Sequence, residues 1–203
     1  MTEKSVVEEI CKILKRTNAI EFGAFKLSSG RISPYYIDLR VIPSFPDAFQ
    51  KVSDIITEAV IRELGISGFD RIASIPVAGT AFAVLLAFRL KKPFLYARQS
   101  IRLRGRERRV EGVLISGDKV LLVDDLVTTG RTLLKAALAI RAEGGVVTDA
   151  FVLLDREEGA SKRLEKNGIK LHCVLKIGET ARILYELSVI DEEGLDIILK
   201  QIK

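Results

Sequence analysis

Short apolar runs alternate with longer amphipathic segments along the middle of the chain. Apolar runs of about four to eight residues rich in branched side chains predict buried strands, and apolar positions that recur at helical spacing predict helices. Strands are predicted at residues 71–75, 93–97, 120–123, 147–154 and 170–176, and helices at 47–64, 81–90, 133–142 and 161–167. This alternation is typical of an α/β domain built around a parallel sheet.

The two ends of the chain predict further elements outside this core. An amphipathic helix is predicted at residues 5–15, and a Ser-Ser-Gly-Arg turn at 28–31 separates two β-prone stretches of a hairpin-like flap. Two more helices are predicted near 179–187 and 192–202. At 203 residues the chain can form one generous domain or a core with an appended subdomain, and we expect a single domain over residues 1–203.

The composition narrows the class of protein. Hydrophobic residues at 48% and charged residues at 29% indicate a globular chain with enough apolar material for a core. The formal charge of +5 suits a polyanionic ligand but also fits a solvated surface. Two cysteines are too few for a disulfide framework, and no apolar run is long enough to span a membrane. We expect a cytoplasmic protein without nucleic-acid or membrane partners, and the scarcity of Asn and Gln favours a heat-adapted source.

The densest candidate chemistry follows the strand at 120–123. Asp124 and Asp125 stand where that strand is predicted to end, and Thr128-Thr129-Gly130 leads into the next helix. Free N–H groups at a helix start bind phosphate, and carboxylates bind ribose hydroxyls or a magnesium ion that the substrate brings. The stretch therefore predicts a sugar-phosphate site, with a solvated acidic pair as the alternative. No Gly-x-x-x-x-Gly-Lys or Gly-x-Gly-x-x-Gly run occurs, which argues against nucleoside triphosphates and dinucleotides.

Three further segments follow predicted strands, where open α/β sheets bind ligands. Residues 76–79 form a small-residue loop that opens a helix, residues 98–112 are crowded with arginine, and residues 155–159 form a charged cluster. Each segment also has an ordinary interpretation. Residues 76–79 fit a packing turn, residues 98–112 a solvated or nucleic-acid-binding loop, and residues 155–159 a surface loop. His172 is the only histidine and is interpreted as structural, which leaves no metal cluster or Ser-His-Asp triad.

Three motifs resemble those of a known enzyme family. The strand, acidic pair and Thr-Thr-Gly at 120–132 resemble the phosphoribosyl pyrophosphate (PRPP) loop of type I phosphoribosyltransferases. Phe-Lys-Leu-Ser-Ser-Gly-Arg-Ile-Ser-Pro-Tyr-Tyr at 25–36 resembles the hood of orotate phosphoribosyltransferases, and Leu-Asp-Arg-Glu-Glu-Gly at 154–159 resembles their orotate-binding segment. The resemblance implies the type I α/β fold, in which helices flank a mostly parallel sheet. It places the PRPP-binding core at about 66–176 and the hood at 1–40, with contributions from the C-terminus.

The resemblance also implies a reaction and a set of site residues. The family makes orotidine 5′-monophosphate and pyrophosphate from orotate and PRPP in pyrimidine (UMP) biosynthesis, with Mg²⁺ carried by PRPP rather than by protein ligands. Catalytic roles are implied for Asp124, Asp125 and Arg102. PRPP binding is implied for Pro76, Val77, Ala78, Gly79, Arg98, Asp124, Asp125, Leu126, Val127, Thr128, Thr129, Gly130, Arg131 and Thr132. Orotate binding is implied for Ser28, Tyr35, Tyr36, Thr128 and Arg156.

The basic loop (residues 99–110) carries the clearest departures from the family. The resemblance implies a homodimer in which this loop covers the partner subunit's site. Gln99, Arg102 and Arg104 stand where the family usually has Lys, Lys, and His or Tyr, and Ser28 stands where many members have Lys. Arginine keeps the charge but stays protonated, so it cannot act as a general acid. Two alternatives stay open, a phosphoribosyltransferase for another base such as a purine and a non-catalytic PRPP-binding regulator.

Overall fold

The computed structural model describes residues 3–26, 32–98 and 109–202, and it begins with a helix and a hairpin. Helix α1 (Glu3–Arg16) precedes the antiparallel strands β1 (Ile20–Lys26) and β2 (Ile32–Ile37), whose register shifts between Phe22 and Phe25. A 3-10 helix (Leu39–Ser44) leads to α2 (Pro46–Leu64), and a second one (Ile66–Gly68) follows it. Proline fits the first position of α2, because an N–H there would have no partner within the helix.

The rest of the chain builds one six-stranded sheet with helices between its strands. The elements in chain order are β3 (Arg71–Ser74), α3 (Thr80–Leu90), β4 (Phe94–Ala97), β5 (Val110–Glu111), β6 (Val120–Val127), α4 (Arg131–Ala142), β7 (Asp149–Asp155), α5 (Ala160–Glu165), β8 (Lys170–Lys176), α6 (Ile177–Glu186) and α7 (Glu192–Leu199). The spatial order is β5-β4-β3-β6-β7-β8, and only β5 runs antiparallel to its neighbour.

Two apolar layers bury the sheet. Leu121 and Val123 of β6 face a layer that includes side chains of α1, α2, α3, α6 and α7, whereas Leu122 faces α4 and α5. Alternate residues of a strand point to opposite faces, so the continuous apolar run of β6 serves both layers. Among the described residues, no helix is both long and apolar enough to cross a membrane.

The structure confirms the predicted α/β fold and corrects one boundary that matters for the site. The sequence predicts that the central strand ends before the acidic pair, but β6 runs through Asp124 and Asp125 to Val127. Its pairing with β3 stops at Val123, whereas its pairing with β7 continues to the register of Val127 with Asp155. Asp124 and Asp125 therefore have β7 beside them on one side of β6, and on the other side they lie beyond the end of β3.

Candidate active site

The candidate site lies at the carboxyl edge of the sheet, where β3 and β6 are neighbours. From β3 the chain continues outwards to β4, and from β6 it continues in the opposite direction to β7. The loops that leave two such strands separate and open a crevice, which is the usual ligand site of open α/β sheets. The crevice is bordered by residues 76–79, residues 124–132 and the segment 155–159. The first two are called the pyrophosphate loop and the PRPP loop, after the parts of PRPP that the family resemblance implies they bind.

The acidic pair is in direct contact with the pyrophosphate loop. A β-carbon on Gly79 would lie 2.5 Å from Asp124 Cα and 2.8 Å from the Asp125 nitrogen. Only a residue without a side chain permits this approach. The backbone N–H of Asp125 donates to Asp124 Oδ1 at 3.1 Å, and the backbone of Gly79 donates a hydrogen bond to the same carboxyl group. The two predicted PRPP segments are therefore packed into one surface.

Burial governs the electrostatics of the acidic pair. It raises the pKa of Asp124 well above its ordinary value, and the neighbouring charge of Asp125 raises it further. Burial also raises the pKa of Asp125, although a hydrogen bond from the Leu126 backbone and the positive charge of Arg40 act in the opposite direction. Two desolvated carboxylates favour ligands that bring hydrogen-bond donors or positive charge.

Two helix starts near the pair offer backbone donors. Gly130, with a φ of 71°, precedes α4, and no side chain caps the first turn of that helix. Gly79 precedes α3, which also begins without a side-chain cap. At α4 the first N–H groups are available to an anion. At α3 the N–H of Thr80 already donates to the Val77 carbonyl at 3.2 Å, so an anion there would meet the N–H groups that follow it. The helix dipoles favour negative charge at both starts. Arg163 of α5 donates a hydrogen bond to the carbonyl of Thr129 and thereby stabilises the PRPP loop.

Arg156 lies between the core and the hairpin. Its backbone N–H donates to the carbonyl of Val127 at 3.0 Å, and its Nη2 donates to Ser33 Oγ of β2 at 3.0 Å. The guanidinium carbon lies 4.3 Å from the ring centroid of Tyr35, and Nε lies 3.1 Å from Glu158 Oε1. Tyr35 and Arg156 are both buried, so these two predicted orotate contacts meet each other in the structure.

Tyr36 points to the opposite face of β2 from Tyr35. Its ring stacks on Phe25 with centroids 5.4 Å apart, and its hydroxyl accepts a hydrogen bond from Arg40 Nη2 at 2.8 Å. Arg40 is held in turn by both oxygens of Asp38 at 2.7 and 2.8 Å, and these bonds lower the pKa of Asp38. The 3-10 helix that follows the hairpin thus places the cation of Arg40 near the acidic pair. The sequence analysis did not single out this residue.

The predicted basic loop is represented by its two ends. Arg98 Nε lies 2.6 Å from Glu111 Oε1, and the backbone N–H groups of Arg109 and Val110 donate to Glu143 Oε1 at 3.2 and 3.1 Å. Arg98, implied to bind PRPP, is therefore paired with an acid of β5 in this structure. Ser28, Gln99, Arg102 and Arg104 lie outside the described residues.

The structure brings most of the described residues that were predicted to bind PRPP to one edge of the sheet, and it adds neighbours to which the sequence analysis assigned no role. Arg40, Glu158 and Arg163 each lie two to four residues from a predicted site residue or contact one across the fold. Only tertiary contacts distinguish them from ordinary surface charges. No group of three or more His, Cys, Asp or Glu side chains in the described part of the chain could hold a metal ion. The cavity of about 670 Å³ between the hairpin and α7 includes none of the predicted site residues.

Comparisons with known proteins agree with this geometry. The chain matches the phosphoribosyl transferase domain over residues 48–179. An orotate phosphoribosyltransferase of Cenarchaeum symbiosum is 43% identical over 184 residues, which are 91% of this chain and 92% of that protein. An orotate phosphoribosyltransferase of Staphylothermus marinus is 40% identical over 193 residues, which are 95% of this chain and 93% of that protein.

Solved structures give the same result. The crystal structure of orotate phosphoribosyltransferase from Aeropyrum pernix is similar with a TM-score of 0.77 and 33% identity, covering 90% of this chain and 99% of that chain. The structure of Leishmania donovani UMP synthase is similar with a TM-score of 0.84 and 30% identity, covering 95% of this chain and 41% of that chain. The family predicted from the acidic pair, the hood motif and the Arg156 segment is confirmed, and the chain belongs to the orotate phosphoribosyltransferases among the type I phosphoribosyltransferases.

Proposed function

We propose that this protein is an orotate phosphoribosyltransferase, a pentosyltransferase that converts orotate and PRPP to orotidine 5′-monophosphate and pyrophosphate in pyrimidine biosynthesis. The observation that carries the proposal is the contact of the acidic pair with the pyrophosphate loop through Gly79. This contact joins a ribose-hydroxyl site to two helix starts that are suited to the two phosphate ends of PRPP.

Different segments of the site bind the different parts of PRPP. The start of α4, with Thr128 to Thr132, binds the 5′-phosphate, and Asp124 and Asp125 accept hydrogen bonds from the ribose hydroxyls. Residues 76–79, Arg98 and the basic loop bind the pyrophosphate, which leaves as the bond from ribose C1′ to the base nitrogen forms. Positive charge develops on the ribose ring in such a reaction, so the carboxylates stabilise the transition state by charge and position.

The base site extends from Thr128 to the hairpin. Arg156 pairs with the orotate carboxylate, because a guanidinium matches a carboxylate with two parallel hydrogen bonds. Ser28 and Tyr36 contact the ring, and Arg40 holds the Tyr36 hydroxyl in place. Tyr35, on the other face of β2, contributes through its packing against the Arg156 guanidinium. The hood comprises residues 1–40 with C-terminal contributions, and the PRPP-binding core comprises about 66–176 of the single domain 1–203.

Magnesium is the cofactor of this proposal. Mg²⁺ is carried by PRPP in this proposal, and the desolvated carboxylates of Asp124 and Asp125 favour a cation that the substrate brings nearby. When it accompanies PRPP, Mg²⁺ would supply positive charge that stabilises the leaving pyrophosphate. The protein's part is to hold the ribose hydroxyls between this complex and the base.

A homodimer completes the proposed site. Apart from Thr80 and Arg89 near its two ends, helix α3 is apolar around its circumference. Phe82 and Leu86 face the core, whereas Val84 and Phe88 are 41% and 79% exposed. A helix that is apolar all round is normally buried on all sides. A second copy seated on this face also lies beside β4, from whose end the basic loop starts, and this position supports a loop shared between subunits. We place the enzyme in the cytoplasm, where the free thiols Cys11 and Cys173 stay reduced.

The experiment that tests the proposal is a PRPP-dependent turnover assay with orotate, uracil, adenine, guanine and hypoxanthine, with and without Mg²⁺. We expect turnover of orotate only, dependent on Mg²⁺. Preferred turnover of a purine would assign the protein to another base. PRPP binding without turnover of any base would identify a non-catalytic regulator.

A further inference from the structure

The ion pair between Arg156 and Glu158 is almost completely buried. The exposed fractions of the two side chains are 2% and 1%, and Nε and Oε1 are 3.1 Å apart. Removing two charges from water costs several kcal/mol per ion, and an apolar pair of the same volume is often equally stable. Stability alone is therefore a weak reason for a carboxylate at position 158, and a role toward the ligand of Arg156 is the stronger one.

Contacts other than Glu158 also fix the Arg156 guanidinium. Ser33 Oγ accepts a hydrogen bond from Nη2, and the Tyr35 ring lies under the guanidinium carbon at 4.3 Å. Ser33 is itself held, because its hydroxyl donates to the Tyr35 carbonyl at 2.7 Å. The hairpin and the backbone contact with Val127 therefore keep Arg156 in place when the charge of Glu158 is removed.

We infer that Glu158 is a placeholder carboxylate, which neutralises Arg156 while the base site is empty and shares the guanidinium with the carboxylate of a bound base. The inference rests on the proposed function, because it needs a ligand carboxylate at Arg156. A guanidinium presents five N–H donors along different edges, so one arginine can contact two carboxylates. Glu158 acts on the ligand through Arg156 and is therefore a positioning residue. It sets how strongly the site prefers a base that carries a carboxylate.

Electrostatics gives the direction of the effect. Two carboxylates on one buried guanidinium repel each other, and this repulsion is large where water is excluded. Glu158 therefore reduces the contribution that the ligand carboxylate makes to binding. Replacing its charge should increase that contribution, while a ligand that lacks the carboxylate should gain nothing from the change.

Two nucleotides that differ only in the carboxylate make this measurable. Dissociation constants of orotidine 5′-monophosphate and uridine 5′-monophosphate are measured by calorimetry on the full chain, and their ratio (uridine over orotidine nucleotide) isolates the carboxylate. In the wild type we expect this ratio to exceed one. In Arg156→Ala the ratio should fall by about tenfold or more, which corresponds to the loss of one charge-assisted hydrogen bond. We expect the ratio to rise roughly tenfold in Glu158→Gln, since a like charge is removed.

Glu157→Gln is the matched control, because it removes the neighbouring negative charge. The Glu157 carboxylate accepts a hydrogen bond from the Gly178 N–H at 2.9 Å, and an amide oxygen can keep that bond. We expect its ratio to stay close to the wild-type value. Glu158→Asp, which keeps the charge but shortens the side chain, should give a smaller rise than Glu158→Gln and serves if the latter does not fold.

The outcomes separate the inference from the proposed function. An unchanged or lower ratio in a folded Glu158 variant overturns the placeholder role, and so does an equal rise in Glu157→Gln. A wild type that shows no preference for the orotidine nucleotide, and no loss in Arg156→Ala, overturns the proposed base specificity itself. A purely structural role of Glu158 would weaken both nucleotides equally and leave the ratio unchanged.

Discussion

At the scale of single residues, the role proposed for the acidic pair comes at a cost to stability. Asp124 and Asp125 are desolvated by the pyrophosphate loop and by their own strand, and burial raises the pKa of both. The sequence identifies these acids, but it predicts them at the end of a strand where solvent would surround them. Their burial depends on the approach of Gly79 from a segment more than forty residues earlier, which no local pattern reveals.

The first prediction concerns Asp124→Asn combined with Asp125→Asn. Turnover should fall by about two to three orders of magnitude, the effect of removing a preorganised charge at the reacting centre. In the wild type the folded state binds more protons than the unfolded chain above the ordinary carboxyl pKa of 3.8, so the free energy of unfolding falls as pH rises through that window. In the variant, the free energy of unfolding should no longer fall over this pH range, and at neutral pH it should equal or exceed that of the wild type.

Urea unfolding at a series of pH values and steady-state turnover measure the two effects. Asp149→Asn, at the amino end of β7 and therefore on the opposite edge of the sheet from the PRPP loop, is a control for turnover, because its carboxylate contacts His172 instead. Near-normal turnover in the double variant would reject the site. An unchanged pH dependence of stability would show that the acids are not desolvated.

At the scale of elements, local patterns predict the core better than its connections. Strand β8 and helix α2 agree with the predicted ranges to within one residue, because their apolar spacing and their Pro and Gly boundaries are local signals. The two 3-10 helices and the two-residue strand β5 were not predicted. Strand β5 exists through its pairing with Tyr96 and Ala97, and β6 continues past its apolar run because β7 continues to pair with it.

The same packing of elements gives the second prediction, on Gly79→Ala. The added β-carbon would meet backbone atoms of Asp124 and Asp125 at 2.5 and 2.8 Å, and backbone cannot move aside as a flexible side chain can. We expect a loss of stability of about 1–3 kcal/mol, typical of overpacking, and a strong loss of PRPP binding as the loop separates from the acids. Thermal unfolding and calorimetric titration with PRPP measure the two losses.

Gly68→Ala is the control for this substitution. Its β-carbon would meet Leu64 Cβ at 3.6 Å, an ordinary contact, so stability and PRPP binding should both stay close to the wild type. If Gly79→Ala bound PRPP as tightly as this control, the pyrophosphate loop would not form one surface with the acidic pair.

At the scale of the whole molecule, the proposed dimer rests on the exposed apolar face of α3. Val84 and Phe88 are one helical turn apart and share a face, and Tyr96 of the nearby β4 is also exposed. The net charge of +5 does not by itself distinguish a polyanion site from a solvated surface. Sequence patterning could not separate a core-facing from a partner-facing side of α3, because both sides are equally apolar.

The third prediction is that Phe88→Asp dissociates the proposed dimer. A charge at a buried interface centre should weaken association by at least about 2 kcal/mol, or roughly thirtyfold in the dissociation constant. Sedimentation velocity should then find monomers at concentrations where the wild type is dimeric, and turnover should fall with the dimer. Ile66→Asp, at a position 49% exposed in the second 3-10 helix, should change neither property. A dimer that survives Phe88→Asp would place the interface elsewhere.

The last prediction tests the loop shared between subunits. Arg102 is the arginine implied to stabilise the leaving pyrophosphate, so Arg102→Ala should slow turnover strongly and Arg102→Lys should retain much of it, since both cations supply the charge.

If the loop completes the partner's site, mixing inactive Arg102→Ala chains with inactive Asp124→Asn/Asp125→Asn chains should restore turnover. A hybrid dimer contains one site with intact acids and an intact loop, and random exchange makes half of the dimers hybrids, so about a quarter of the wild-type activity should return. Subunit exchange is verified beforehand by pull-down of differently tagged chains. Hybrids that form without regaining activity would mean that each loop serves its own subunit, whereas a neutral Arg102→Ala would remove the loop from catalysis altogether.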